Sequence, residues 1–302
     1  MQNCFATPLT ILVYQNASFD RMTFRQVFSP YLRDRSIAEV LKEHSEKKLE
    51  RRTYCPVTDI DTAYDTLEKQ ERCAIIGNGG ILLKSGCGRE IDSNNFVIRA
   101  NFAGLENYSE DVGKKTSLMM INDATLTNMY NTLVAQKGGR DKFDTMMRYI
   151  KLHLNDTVIW FAKSTESHRS AARLKKVAEV FAKYELRPKL AYSVQQISSA
   201  AARRWKLRSY PSSGVDILAA AETICKNMTL YGFYPYDKDP RGNEVLHHYY
   251  EPNLTDFRTK IHNFDKEHKM LRFLHAKGFL RLAIDPCKPA NTTTTVPVRS
   301  TN

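Results

Sequence analysis

Two short cassettes constrain this chain more than anything else in it. The first, Arg72 to Asn101, reads RCAIIGNGGILLKSGCGREIDSNNFVIRAN; the second, Ser209 to Tyr236, reads SYPSSGVDILAAAETICKNMTLYGFYPY. Each joins an apolar strand-like run to a small-residue turn and a helix start, the arrangement by which α/β folds hold phosphates. Cys73-Ala74-Ile75-Ile76 is a buried strand that breaks at Gly77-Asn78-Gly79-Gly80, whereas Pro211-Ser212-Ser213-Gly214 opens a helix. A chain with two such turns is built to handle a nucleotide.

The remaining pattern agrees with a parallel sheet. Strand-like segments at Cys73–Ile76, Phe96–Arg99, Ser117–Ile121, Thr157–Ala162 and Met228–Phe233 alternate with helix-like ones. The helical segments are Ala124–Gln136, Arg169–Leu186, Val194–Trp205, Val215–Asn227 and Lys266–Lys277, the last closing at Gly278. Such alternation predicts a doubly wound, mostly parallel α/β sheet with helices on both faces. Residues 1–52 read as an N-terminal, stem-like extension with a charged helix over Asp34–Arg52. Residues 53–287 form the main domain, and 288–302 a threonine-rich disordered tail.

Cysteines and sequons bear on the compartment. Cys4, Cys55, Cys73, Cys87, Cys225 and Cys287 form no CxxC pair, which argues against a zinc knuckle or dithiol site. Sequons at Asn16, Asn107, Asn155, Asn227, Asn253 and Asn291 point to a lumenal, disulfide-bonded protein. No run reaches the ~18 apolar residues of a membrane span, and the apolar segment from Phe5 to Tyr14 is too short. Between Lys137 and Arg208 there are 17 Lys/Arg against 6 Asp/Glu, so +11 of the net +12 lies there. That stretch is either a set of solvated helix faces or, at Arg203, Arg204, Lys206 and Arg208, a groove for a polyanion.

The first turn is not a dinucleotide fingerprint. GxGxxG needs a glycine where Leu82 stands, and the ribose-binding acid about 20 residues on is absent, that region holding Arg99, Ala100 and Asn101. Asn78 inside the turn offers instead an amide for a phosphate or ribose.

At this level of detail the chain resembles the sialyltransferases, most closely the α2,8 branch. The large sialylmotif corresponds to Arg72–Met119 and the short motif to Ser209–Tyr236. The third is His248-Tyr249-Tyr250-Glu251, and the very small motif is His262-Asn263-Phe264-Asp265-Lys266-Glu267. Cys87-Gly88-Arg89-Glu90-Ile91-Asp92, the HYYE form of the third motif and a cysteine near the C-terminus resemble the α2,8 branch more than the α2,3 or α2,6 branches.

The resemblance implies a Rossmann-like glycosyltransferase A variant using CMP-sialic acid as donor and a sialylated glycoprotein or glycolipid as acceptor. Transfer would be inverting, with no metal and no further cofactor. It also implies residence in the Golgi lumen, where family members are single-pass type II membrane proteins; this chain shows no such anchor and reads as a partial, atypical or soluble form. An attacking hydroxyl needs a base, a role that falls to His262, with Glu267 setting its orientation or basicity. His248 maps onto the phosphate-stabilising position, and neighbouring His247 onto a structural one. Asn78 and Asn101 map onto donor-contacting amides. Ser212, Ser213 and Gly214 map onto the short motif, where helix-start N–H groups bind the sialate carboxylate or the nucleotide, although Ser-Ser-Gly there also suits a plain N-cap. Tyr234 stands where the family usually has tryptophan, and Ala100 where it usually has cysteine or similar. Asp237-Lys238-Asp239 resembles a metal-holding DxD but follows the wrong strand. The implied disulfides are Cys73–Cys225 and Cys87–Cys287; Cys4 and Cys55 pair together, pair with another chain or stay free.

Two readings compete with an enzyme. A glycan-binding homologue without turnover is disfavoured by intact His248 and His262. A nucleic-acid binder, suggested by charge alone, lacks a binding motif or stacking aromatics in its basic stretch.

Overall fold

The computed structural model describes residues 10–15, 20–27, 70–164, 168–193, 198, 201–202, 205–251 and 261–287. Its centre is one sheet of nine strands: β1 (Thr10–Gln15), β2 (Asp20–Val27), β3 (Gln70–Ile76), β4 (Phe96–Ala100), β5 (Leu118–Ile121), β6 (Val158–Ser164), β7 (Lys189–Ser193), β8 (Cys225–Tyr231) and β9 (Arg281–Ala283). Their spatial order is β2-β1-β7-β6-β5-β4-β3-β8-β9. From β7 across to β9 every pairing is parallel, and only the β1–β2 hairpin, joined to β7, runs antiparallel. The expected doubly wound parallel sheet is therefore what the chain forms. Strands β1 and β2 fall inside the segment read as an extension and lengthen the sheet at its β7 edge.

Parallel strands covered on both faces need apolar residues on both, and β3 supplies them. Cys73 and Ile75 pack into one core, Ala74 and Ile76 into the other, as the period of two requires. The larger core gathers residues from α3 (Asp123–Met129), α4 (Gly139–His153), α5 (His168–Lys183) and α6 (Ser213–Ile224). The smaller lies under α1 (Gly88–Asp92), α2 (Ser109–Val112) and Tyr249. Helix α7 (Phe264–Ala276) packs beside β9 and ends at Gly278, whose φ is +75°.

Two boundaries differ from expectation. The helix expected over Val215–Asn227 ends at Ile224, and β8 begins at Cys225. Cys225 is drawn into the sheet by pairing with Gln70, while Glu71 binds Lys226 Nζ (2.7 Å) and the Asn227 amide. The helix expected over Ala124–Gln136 changes after Met129 into a wider π turn over Tyr130–Val134. Strands β7 and β9 and helix α4 were not anticipated, and most of the helix expected over Val194–Trp205 lies outside the described residues. So do the segment Asp34–Arg52, the tail, Cys4, Cys55 and the sequons at Asn16, Asn253 and Asn291. Asn107, Asn155 and Asn227 are exposed. Among the described residues no helix is long and apolar enough to cross a membrane.

The disulfide Cys73–Cys225 (Cα–Cα 5.9 Å) ties β3 to the start of β8. Cys87–Cys287 (Cα–Cα 4.9 Å) ties the C-terminal segment to the start of α1. These bridges span 152 and 200 residues, so in the chain-entropy account each stabilises by about 5 kcal/mol. Replacing Cys73 and Cys225 together by alanine is expected to lower the melting temperature by roughly 10 °C or more, read by scanning fluorimetry. An unchanged melting temperature would show that the bridge does not restrain the unfolded chain.

Candidate active site

In open α/β sheets ligands bind beyond the carboxyl ends of the strands, where the winding reverses. Here the chain steps from β3 outward through β4, β5, β6 and β7, then returns to the other side of β3 as β8. A cavity of about 270 Å³ opens at that point. The segments following β3, β4, β5 and β8 line it, together with the start of α6, His247–His248, His262 and one face of α7.

The floor is a crossing of two backbones. Gly77 N donates to Tyr231 O (2.8 Å), Gly79 N to Gly232 O (3.0 Å) and Gly80 N to Leu246 O (3.1 Å). A Cβ on Gly79 would sit 2.6 Å from Gly232 O, and one on Gly80 2.3 Å from Leu246 O, so only glycine permits this approach. The sequence suggests that this turn holds phosphate; in the structure the Gly77 and Gly79 amides join the two cassettes instead, and the Gly80 amide binds the segment at Leu246. Asn78 lines the cavity between them, with Nδ2 donating to Ala100 O (3.2 Å) and its carbonyl accepting from Tyr249 N (3.0 Å).

Asn101 follows β4 in the left-handed region, φ 61°, and also lines the cavity. Its Oδ1 accepts from Asn122 N (3.1 Å) and Thr125 Oγ1 (3.2 Å). Those two donors decide the amide's orientation and leave Nδ2 as the end that can donate to a ligand.

Helix α6 starts as its sequence suggests. Ser212 is the N-cap, accepting from Val215 N, and its own N–H donates to Glu267 Oε1 (2.8 Å). Ser212 is thus used for structure. Ser213 and Gly214 supply the first-turn N–H groups at the cavity wall, where an anion is stabilised by helix-end partial charge. Gly214 lies against Phe233, whose ring would be 2.6 Å from a Cβ there.

Three histidine rings are held through Nδ1, each by a different acceptor. His262 Nδ1 lies 2.8 Å from Tyr210 O, His248 Nδ1 2.6 Å from Glu251 Oε1, and His268 Nδ1 3.2 Å from Phe233 O. A carbonyl only accepts, so the Nδ1 of His262 and of His268 carries the proton. Burial pushes the imidazole pKa of His268 down; that of His247 also falls, through burial and then the neighbouring His248. Glu267, expected to act directly on His262, binds Ser212 N. Burial raises its carboxyl pKa, against the opposing effect of the Ser212 hydrogen bond and of His262.

Tyr234 lines the cavity, its hydroxyl donating to Lys238 O (2.7 Å) and its ring set edge-on to Tyr236 and His268. Asp239 of the DxD-like triplet accepts from Arg241 N and Asn243 N in a surface turn. Every donor-site and catalytic residue proposed from sequence lines this one cavity: Asn78, Asn101, Ser212, Ser213, Gly214, Tyr234, His248, His262 and Glu267. Sequence reasoning missed Asn122, Phe233 and the α7 face. Phe264, Glu267, His268 and Leu271 recur at the i, i+3, i+4, i+7 spacing of one helix stripe, a signal present in the letters.

Comparison with known proteins identifies the family. A mammalian sialyltransferase structure shares 20% identity over 72% of this chain and 70% of its own, with a TM-score of 0.45. A mammalian sialyltransferase structure in complex with Gal-beta-1-3GalNAc-ortho-nitrophenol gives the same figures. The sialyltransferase CstII from Campylobacter jejuni, solved with the substrate analogue cytidine-5'-monophosphate, shares 17% identity over 73% of this chain and 81% of its own, with a TM-score of 0.40. Residues 17–279 match glycosyltransferase family 29 (sialyltransferase). The chain belongs to that family and is an enzyme that transfers sialic acid.

Proposed function

We propose that this sialyltransferase moves sialic acid from CMP-sialic acid to a hydroxyl of a sialylated glycan, forming an α2,8 linkage with inversion and without a metal, in the Golgi lumen. The acceptor oxygen attacks the anomeric carbon as the bond from that carbon to the CMP phosphate breaks, and the acceptor proton passes to His262 Nε2. The observation that carries the choice of base is the 2.8 Å contact between His262 Nδ1 and the Tyr210 carbonyl. With its proton committed there, the neutral ring presents its lone pair at Nε2.

Negative charge grows on the departing phosphate as it leaves. His248 and the first-turn amides of α6 are the donors that answer it. Asn101 Nδ2 and Tyr234 hold the rest of the donor. Glu267 acts through the chain: it grips Ser212 N, two residues beyond the Tyr210 carbonyl that orients His262. The α2,8 linkage is supported by the HYYE motif, the Cys87–Asp92 run and the bridge from Cys87 to Cys287.

Transfer to a sialylated acceptor, followed by mass spectrometry of the product linkage with and without EDTA, tests the reading. Transfer that persists in chelator and yields α2,8-linked product supports it. An α2,3 or α2,6 product overturns the linkage, and CMP binding without turnover marks a glycan-binding homologue. His262→Ala is expected to reduce transfer by roughly 10²–10⁴-fold while CMP affinity by calorimetry stays within about twofold. A parallel loss of CMP affinity would assign the base to another residue.

Glu267 also links pH to stability. Its folded-state pKa lies above the unfolded value, so the folded protein holds that proton more tightly. The stabilisation is complete below the unfolded pKa and lost as pH rises through the raised folded one. At neutral pH the wild type therefore carries a burial cost that the Ser212 hydrogen bond and His262 only partly offset. Glu267→Gln, which can still accept from Ser212 N, is expected to melt at or above the wild-type temperature at pH 7, with the advantage shrinking toward pH 4. A variant that melts lower at pH 7 would mean that the charge itself stabilises the fold.

A further inference from the structure

Glu251 closes the third motif and touches His248 directly. Its Oε1 lies 2.6 Å from His248 Nδ1, with both side chains partly buried. Three other contacts immobilise that histidine. Gly79 and His248 form an antiparallel bridge, Tyr249 N donates to Asn78 O, and the His248 ring stacks on Tyr250 at 11° with centroids 5.3 Å apart. The His247 ring, at 4.1 Å, and the stacked Tyr250 phenol are the other titratable groups packed against it among the described residues.

We propose that Glu251 is the positioning residue for His248. Its carboxylate accepts the Nδ1 proton, stops the ring from turning and directs Nε2 at the departing phosphate. It also offsets the positive charge that the ring carries whenever Nε2 is protonated, so the imidazolium can face an anion without repelling its own surroundings. The proposal rests on the donor-site assignment of His248 made above and extends it to a residue outside the cavity lining.

A double-mutant cycle on the full chain tests it, with wild type, His248→Ala, Glu251→Gln and the double variant. It is run once on transfer rate and once on CMP affinity by calorimetry. Glu251→Gln is expected to lower kcat by roughly ten- to hundredfold, with the acceptor KM unchanged. Added to His248→Ala, it changes neither readout by more than about twofold, because the ring it serves is gone. Glu251→Asp, which keeps the charge, recovers part of the lost rate and replaces Glu251→Gln in the cycle should that variant melt early.

Additive losses in the double variant, or a Glu251→Gln enzyme as fast as wild type, overturn the pairing. Should the wild type bind CMP yet transfer nothing, the transferase reading falls and the affinity cycle still decides the role of Glu251. A wild type that does not bind CMP overturns both.

Discussion

The site depends on two backbones that touch. At the ends of β3 and β8 the main chains of Gly77, Gly79 and Gly232 approach closely enough that their carbonyls occupy the space of a Cβ. Hydrogen bonds from Gly77 and Gly79 close that contact, and Gly80 adds the segment beginning at Leu246. Below it, the Cys73–Cys225 bridge ties the middle of β3 to the start of β8. Pinned at these points, β3 and β8 form a rigid floor. Everything above it inherits a fixed geometry, and this is what preorganised electrostatic stabilisation requires.

The Gly77, Gly79 and Gly80 amides are spent on carbonyls of neighbouring segments. On the proposed reading, anion binding falls to the neighbouring α6 start and to His248, which the Gly79–His248 bridge brings to the cavity. The third cavity wall is assembled likewise by contacts between segments distant in sequence. Glu267 of α7 holds Ser212, and Tyr210 holds His262, so α7 and the entry to α6 fix each other. Burying Glu267 has an electrostatic cost, and the hydrogen bond from Ser212 offsets part of it.

Much of this was legible in the letters, for physical reasons. Fully buried parallel strands leave uninterrupted apolar runs, and Cys73–Ile76 and Thr157–Ala162 could be read directly. The Pro-Ser-Ser-Gly sequence is a helix start in any fold, so Ser212 to Gly214 were found. What escaped depends on partners distant in the chain. Strand β9 has three residues and exists because β8 offers an edge; β7 has only five residues and pairs with β6 and β1. The shift of Cys225 from helix to strand follows from pairing with Gln70 and bonding to Cys73, which no local propensity contains. The use of the Gly77–Gly80 amides was hidden for the same reason. A glycine-rich turn reads alike whether its N–H groups face a phosphate or another strand. Asn122 and the α7 stripe were missed by weighing residues singly rather than by helical face.

On the proposed reading, two histidines let one side-chain type serve opposite ends of a reaction. Both are anchored through Nδ1, and the acceptors differ in charge. A carbonyl, as at Tyr210, fixes the Nδ1 proton and so leaves Nε2 as the atom that offers a lone pair when the ring is neutral. A carboxylate, as at Glu251, compensates a full positive charge, so its ring is suited to meet an anion. On the proposed reading, the division of labour between His262 and His248 is set by the acceptors that hold them, both outside the cavity lining. The chemistry of the site is thereby written into residues that need not touch either substrate.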